Sequence, residues 1–367
     1  IGSCNLGTPE QVRSMVVEGG ADFAGVSRFS LDDPEFPNKM RSGREREIRK
    51  STRTGASLLH GNIFGKGYAG SPQNPEFGRE REYRLVPTGH PKKVVIVGGG
   101  SGGMEYARVA KQIGHEVVLF EKSMRLGGVM DWCGNYPHLP NVESIRFQPE
   151  YHAYQMELLE IDCRLGCDAT PELILAEKPD VVVIATGARA KLPPLPGMEE
   201  ARRAGRILTI DEVLSRDHPA DPGGSPVVWG AGEGLELAVE LSRQGRKPRL
   251  IDSGPALALP PYLLSRAGHV LRWLAEAGVA IETGVTVRGI GPEGLLVSRN
   301  ADPRQPEAEP DEILCDRVIV CLGREPENGL KGILEDKVAQ VQVLGDARKP
   351  RSYGNAIHEA AYLARQI

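Results

Sequence analysis

Gly98, Gly100 and Gly103 stand in G-x-G-x-x-G order between the apolar run KKVVIV and a stretch with the apolar spacing of a helix. That combination suits a diphosphate. The first glycine permits a tight turn, the second lets backbone approach phosphate oxygens, and the third lets helix and strand pack closely. Ser101 and Gly102 complete the turn, and a helix beginning there offers unpaired N–H groups and its positive dipole end. Glu121 closes the next apolar run 23 residues after Gly98, where a carboxylate can accept from a ribose 2′-hydroxyl; Lys122 follows it. His115, in GHEV at the helix-to-strand corner, reads as structural.

A second unit, PVVWGAGEGLELAVELSRQGRKPRLIDS, repeats the pattern less cleanly. Gly230 and Gly232 match, but Leu235 stands where a third glycine is expected and Gly234 comes one position early. Either the turn is shorter or the helix packs differently. Asp252 ends the following run 22 residues after Gly230. A carboxylate there repels a 2′-phosphate and favours NADH, while Arg246, Lys247 and Arg249 keep NADPH open. A unit that keeps the fold without binding is the competing reading.

A third pattern is defined by what it lacks. Ser51, Thr54, Ser57 and Ser71 are separated by two, two and thirteen residues, a spacing at which thiolates would hold an iron–sulfur cluster. No cysteine lies between Cys4 and Cys133, and hydroxyls are hard, weakly acidic donors, so no cluster and no other metal is expected. The six cysteines form no C-x-x-C pair, as suits isolated thiols in a reducing, cytoplasmic setting. Cys133 is alone after LGG, which argues against a dithiol partner for a redox cofactor.

These groups need elements to hold them. The 367 residues allow two or three domains. A net charge of -4 implies no polybasic surface for nucleic acid, and the longest apolar runs are too short to span a bilayer. TPEQVRSMVVEGG has a Thr-Pro-Glu helix start and a glycine stop, ADFAGVSR reads as a short buried strand, and residues 46–90 read as an irregular linker. Strands are predicted at 162–165, 180–185, 279–282, 285–290, 294–297 and 317–322, with a strand then a helix over 341–367. The fold class is α/β, with two Rossmann-like units.

Three later segments bear on the first site. Gly127 and Gly128 in MRLGGVM can pass near a flavin diphosphate, Thr186 and Gly187 end the run DVVVIATG, and Gly345-Asp346 in VLGD is placed for a ribityl hydroxyl. Together with the first glycine turn, they resemble the two-dinucleotide flavoproteins over nearly all of residues 92–367. The resemblance implies an FAD-type domain at 91–215 and 322–367, with an NAD(P)H-type domain, 216–321, inserted in it.

Upstream, EGGADFAGVSRFSLDDPEFPNKMRSGREREIRK and the hydroxyl loop with its NPEFGRE tail resemble the old-yellow-enzyme-like multidomain reductases. Those include 2,4-dienoyl-CoA reductases, trimethylamine and dimethylamine dehydrogenases and N-methyl amino-acid demethylases. By this resemblance, residues 1–45 are the terminal β/α unit of a TIM barrel, 46–90 are a former iron–sulfur loop, and Arg28 is the arginine at an FMN phosphate. Ser27 replaces the glycine usual before it. One β/α unit cannot close an eight-stranded barrel, so FMN and the small-molecule substrate are expected only with an upstream barrel. The implied activity is an FAD-dependent NAD(P)H oxidoreductase module passing hydride from NADH to FAD. That step belongs to the cofactors, and no catalytic side chain is assigned. A non-catalytic ADP-binding scaffold and a decayed remnant are the rival readings. Enoyl thioester, amine and N-methyl amino acid all remain open as substrates, and the oligomeric state is not legible.

Overall fold

A computed structural model describes residues 1–3, 6–53, 70–140, 142–257, 259, 267–299 and 311–367. Thr54, Ser57 and Cys4 therefore lie outside the described residues. Two compact units result: Ile1–Gly134 with Asn141–Ala188 and Pro326–Ile367, and Asn135–Pro140 with Arg189–Glu325.

The first unit is built on a parallel sheet. Its strands are β1 (Lys93–Val97), β2 (Glu116–Glu121), β3 (Asp162–Leu165), β4 (Val181–Ile184) and, last in the chain, β13 (Gln340–Val343), in the order β13-β4-β1-β2-β3. Alternation explains why the central strands are continuous apolar runs. Val94, Ile96, Val181 and Val183 enter one core, and Val95, Val97, Val182 and Ile184 enter the core on the opposite face. A strand covered on both faces has no polar side to show.

The N-terminal segment carries α1 (Pro9–Val17), α2 (Arg28–Asp32) and α3 (Phe36–Arg41). Thr8 caps α1 as expected, its hydroxyl accepting from the Gln11 N–H. The strand expected in ADFAGVSR is instead reduced to one parallel bridge between Ala24 and Gly2, with Phe23 exposed. A lone bridge leaves most of a strand's N–H and C=O groups without ladder partners, so the segment stays irregular. Phe29 and Phe36 stack nearby, over Ile48.

The second unit holds another parallel sheet: β5 (Ile207–Thr209), β6 (Val227–Trp229), β7 (Arg249–Ile251), β8 (Ala280–Glu282) and β12 (Val318–Val320), in the order β5-β12-β6-β7-β8. An antiparallel sheet of β9 (Val285–Ile290), β10 (Gly294–Arg299) and β11 (Asp311–Leu314) accompanies it. Besides Asn135–Pro140, the unit spans Arg189–Glu325, where 216–321 was expected. Pairing is the cause: β5 lies in register with β12, Ile207 opposite Val318, so residues before 216 complete the second sheet.

Candidate functional site

In the first unit, β1 ends at Val97 and Gly98 follows with φ 109°, a left-handed conformation natural only to glycine. A Cβ at Gly98 would collide with the Ala185 carbonyl, and one at Gly103 with the Gly98 carbonyl. The helix α4 (Ser101–Ile113) can therefore approach β1 only because both positions are bare. Gly102 packs its Cα toward Leu344 and Ala356, which brings the Gly345 turn to the head of α4.

Glu121 is buried and accepts from two backbone N–H groups, Gly99 at 2.7 Å and Ser123 at 2.8 Å. Two of about four lone-pair directions are used in this way, which fixes the carboxylate and leaves capacity for a further donor. Gly127 and Gly128 run beside the turn: Gly127 donates its N–H to the Gly99 carbonyl at 2.9 Å and forms a parallel bridge with Gly100. Among the described residues, a Cβ on Gly100 would meet only the Gly128 Cα, at 4.0 Å. Two strips of backbone without side chains thus lie side by side at the positive end of α4, a cradle that fits a diphosphate.

Thr186 and Gly187 are stitched to Glu327, whose carbonyl accepts from the Thr186 hydroxyl and whose N–H donates to the Gly187 carbonyl at 3.0 Å. Asn328 then donates to the Ala347 carbonyl at 3.0 Å, joining this loop to the Gly345–Ala347 turn. Lys122 reaches toward Glu327 at 3.9 Å. The Asp346 carboxylate accepts from the Arg351 N–H at 2.9 Å, and Gly345 donates to Glu359 at 2.9 Å. Glu327, Asn328 and Glu359, none of them singled out from the sequence, hold these turns together. Nothing in their local spacing marked them.

Behind the turn, the Ser101 hydroxyl donates to Gln148 at 2.9 Å. Gln148 contacts His152 at 2.9 Å, His152 Nε2 meets Glu105 at 3.0 Å, and Arg108 clasps Glu105 through Nε at 2.9 Å and Nη2 at 2.8 Å. Burial alone would raise the Glu105 pKa, but the Arg108 charge and hydrogen bonds, with His152, hold it well below the carboxylate range. Gln148 and His152 lie on α5 (Phe147–Leu158), so this network fixes α5 against α4. His115 is structural in geometry too: it is buried, its Nδ1 accepts from the Lys92 N–H at 3.1 Å, and burial lowers its pKa.

Arg28 begins α2, with its Nη1 3.5 Å from the Arg53 carbonyl. Ser51 and Ser71 are buried, and both hydroxyls hydrogen-bond Asp32, which is buried as well. Ser71 Oγ also accepts from Gln73 and Asn74 N–H groups at 3.1 and 2.8 Å. At these two positions the loop keeps a built interior of hydroxyls around a carboxyl group, a donor set that does not fit an iron–sulfur cluster.

In the second unit, Gly230 takes φ 108° and α6 (Ala231–Arg243) begins at the next residue, whereas two residues, Gly99 and Gly100, separate Gly98 from the first residue of α4. The turn is therefore shorter, and Gly234 takes over close packing: a Cβ there would lie 2.7 Å from Val228 Cγ1. Leu235, at the expected glycine position, is fully buried. Gly232 has open space, the Cys321 carbonyl being 4.0 Å from a Cβ placed there. Asp252 repeats the geometry of Glu121, accepting from Ala231 and Gly254 N–H groups, each at 2.9 Å. Among the nearby cations, Arg246 pairs with Asp221 and Arg249 with Glu282, both at 3.2 Å.

The pattern of the pyridine nucleotide-disulphide oxidoreductase family matches residues 162–349 and, separately, 93–133. The chain is 31% identical to an NADH oxidase of Thermoanaerobacter brockii over 98% of its own length and 54% of that protein. It is 27% identical to a dimethylamine dehydrogenase of Hyphomicrobium over 98% of its length and 53% of that protein. A solved 2-naphthoyl-CoA reductase superposes with a TM-score of 0.88 at 26% identity, covering 100% of this chain and 53% of that one. The chain thus spans about half the length of the relatives it matches, in their C-terminal part. It belongs to the pyridine nucleotide-disulphide oxidoreductase family, as an oxidoreductase module of the kind carried by old-yellow-enzyme-like multidomain reductases.

Proposed function

We propose that the first unit binds FAD, that the second binds a nicotinamide dinucleotide, preferentially NADH, and that the module feeds reducing equivalents to a flavin barrel acting on a small organic substrate. When bound, the two cofactors would supply the redox chemistry, and the chain's own residues would hold and orient them. The bare backbone shared by Gly100, Gly127 and Gly128 is the observation that carries the reading. On this reading Glu121 orients the adenosine ribose, the Gly98–Gly103 turn grips the diphosphate, and the Thr186–Gly187 and Gly345–Asp346 turns border the rest of the molecule. Asp252 disfavours a 2′-phosphate, and the pairing of Arg246 and Arg249 with carboxylates leaves less positive charge to attract one. The Ser51–Ser71–Asp32 interior supports a loop without a cluster, so electrons would reach the barrel flavin without that relay.

The substrate class for the whole protein, a conjugated enoyl thioester as in the 2,4-dienoyl-CoA reductases, is the finer part of this proposal. The test is anaerobic titration of the purified flavoprotein with NADH while following flavin absorbance. Bleaching by NADH with electron transfer to an artificial dye supports the reading. A nucleotide extract containing ADP in place of FAD, or a flavin that NADH leaves oxidised, would overturn it.

A further inference from the structure

The second glycine turn lies where the order of its sheet reverses, β6-β7-β8 running one way and β12-β5 the other. In open parallel sheets, ligands bind in the crevice at the carboxyl ends of strands at such a reversal. Here that crevice is bridged by charge. Arg324, four residues past the end of β12, donates through Nε to Glu233 at 3.0 Å, and Glu233 is the third residue of α6. The same guanidinium contacts Asp211, through Nη1 at 3.1 Å and through Nη2, and Asp211 lies in the short helix that follows β5. Arg324 is nearly buried, with 7% of its side chain exposed, whereas each carboxylate keeps about a third of its surface in solvent. The triad thus joins the segments that follow β5, β6 and β12 at one end of the sheet.

The first unit differs at the corresponding helix. The first turn of α4 carries no acidic residue, while that of α6 carries Glu233 in addition to the Asp252 cap. A carboxylate on the first turn of a diphosphate-binding helix competes with the phosphates for the same positive end. Its guanidinium partner has the planar donor fork that suits phosphate oxygens equally well.

We propose that Arg324 is the cation that grips the dinucleotide diphosphate in the second unit, and that Glu233 is a built-in competing anion holding Arg324 until the nucleotide displaces it. This rests on the second unit being a nicotinamide-nucleotide site. Nucleotide affinity then reflects an exchange of one anion for another on Arg324, and Asp211 anchors the guanidinium through that exchange.

The experiment measures ADP-ribose binding to the holoprotein by calorimetry, at two salt concentrations, for wild type, Glu233→Gln, Arg324→Lys and Arg324→Met. Glu233→Gln is isosteric and is expected to tighten binding by roughly threefold to tenfold, in keeping with a partly exposed ion pair removed as competitor. Arg324→Met is expected to weaken it by more than about tenfold, and Arg324→Lys, which keeps charge but loses the fork, to fall between. A purely structural role for Glu233 gives the opposite sign, weaker binding alongside a lower Tm. Unchanged or weaker binding by Glu233→Gln overturns the proposal even if Arg324→Met fails to fold. Failure of the broader reading shows separately: NADH would leave the wild-type flavin oxidised, whatever ADP-ribose does.

Discussion

Replacing Gly234 with alanine places one methyl group at the tightest point of the second unit. The new Cβ would lie 2.7 Å from Val228 Cγ1, 3.3 Å from Cys321 Cβ and 3.5 Å from Cys321 Sγ. Apolar carbons rest at about 3.5–4.0 Å, so α6 or β6 must give way by about 1 Å. Val228 cannot swing aside, because it is β-branched, fully buried and paired in register with both Leu250 and Ile319. Overpacking of this kind costs about 2–3 kcal/mol, and the helical preference of alanine over glycine returns about 1 kcal/mol. The net loss is about 1–2 kcal/mol. The shift also pulls the Ala231 N–H from Asp252, now 2.9 Å away, and so opens the Gly230 turn. Urea unfolding followed by circular dichroism measures the first effect, and the KM for NADH, expected to rise at least about tenfold, measures the second. Gly268→Ala is the control within the same unit: a Cβ there meets nothing within 4 Å among the described residues, and stability is expected to rise by up to about 1 kcal/mol. A Gly234→Ala protein as stable as wild type, with its KM unchanged, would refute the argument that this glycine sets the helix–strand distance.

Arg108→Met strands the Glu105 carboxylate in the interior of the first unit with His152 to hydrogen-bond it, and a loss of about 3–5 kcal/mol is expected in urea unfolding. Because the folded pKa of Glu105 is lowered, its contribution is present above the ordinary glutamate pKa and is lost as pH falls through and below that value; the variant should flatten this acid limb. Asp32 has the reverse sign. Burial raises its pKa against the hydrogen bonds of Ser71 and Ser51, so its contribution is complete below the ordinary aspartate pKa and is lost as pH rises through the raised value. Asp32→Asn should therefore be at least as stable as wild type at neutral pH and remove that slope, read as urea midpoints across pH 4–8; a loss above about 1 kcal/mol at neutral pH would contradict it. Asp252→Asn should reduce the NADH-to-NADPH ratio of kcat/KM by at least about tenfold, corresponding to about 1.4 kcal/mol.

Local chemistry was legible without coordinates. Gly98 and Gly230 announce turns because only glycine adopts φ near 110° there at no steric cost, and Glu121 and Asp252 announce carboxylates beside those turns because each follows an apolar run at a regular interval. The continuous apolar runs of β1 and β4 likewise declare a sheet covered on both faces. The short second turn was visible as an irregularity, but two explanations fitted the same letters. Only the position of Val228 against Gly234 selected between them.

The remaining decisions depended on partners distant in the chain. The segment 189–215 joined the second sheet because β5 found β12 more than a hundred residues later, and ADFAGVSR lost its strand because Gly2 supplies just one bridge. Ser71 reads as a spare hydroxyl until Asp32 is seen beneath it, and Arg324 as one more surface cation until Asp211 and Glu233 close around it. Spacing along the chain specifies backbone shape, which depends on neighbouring residues. Which charge meets which is set by sheet order and burial, and those exist only once the whole chain has packed.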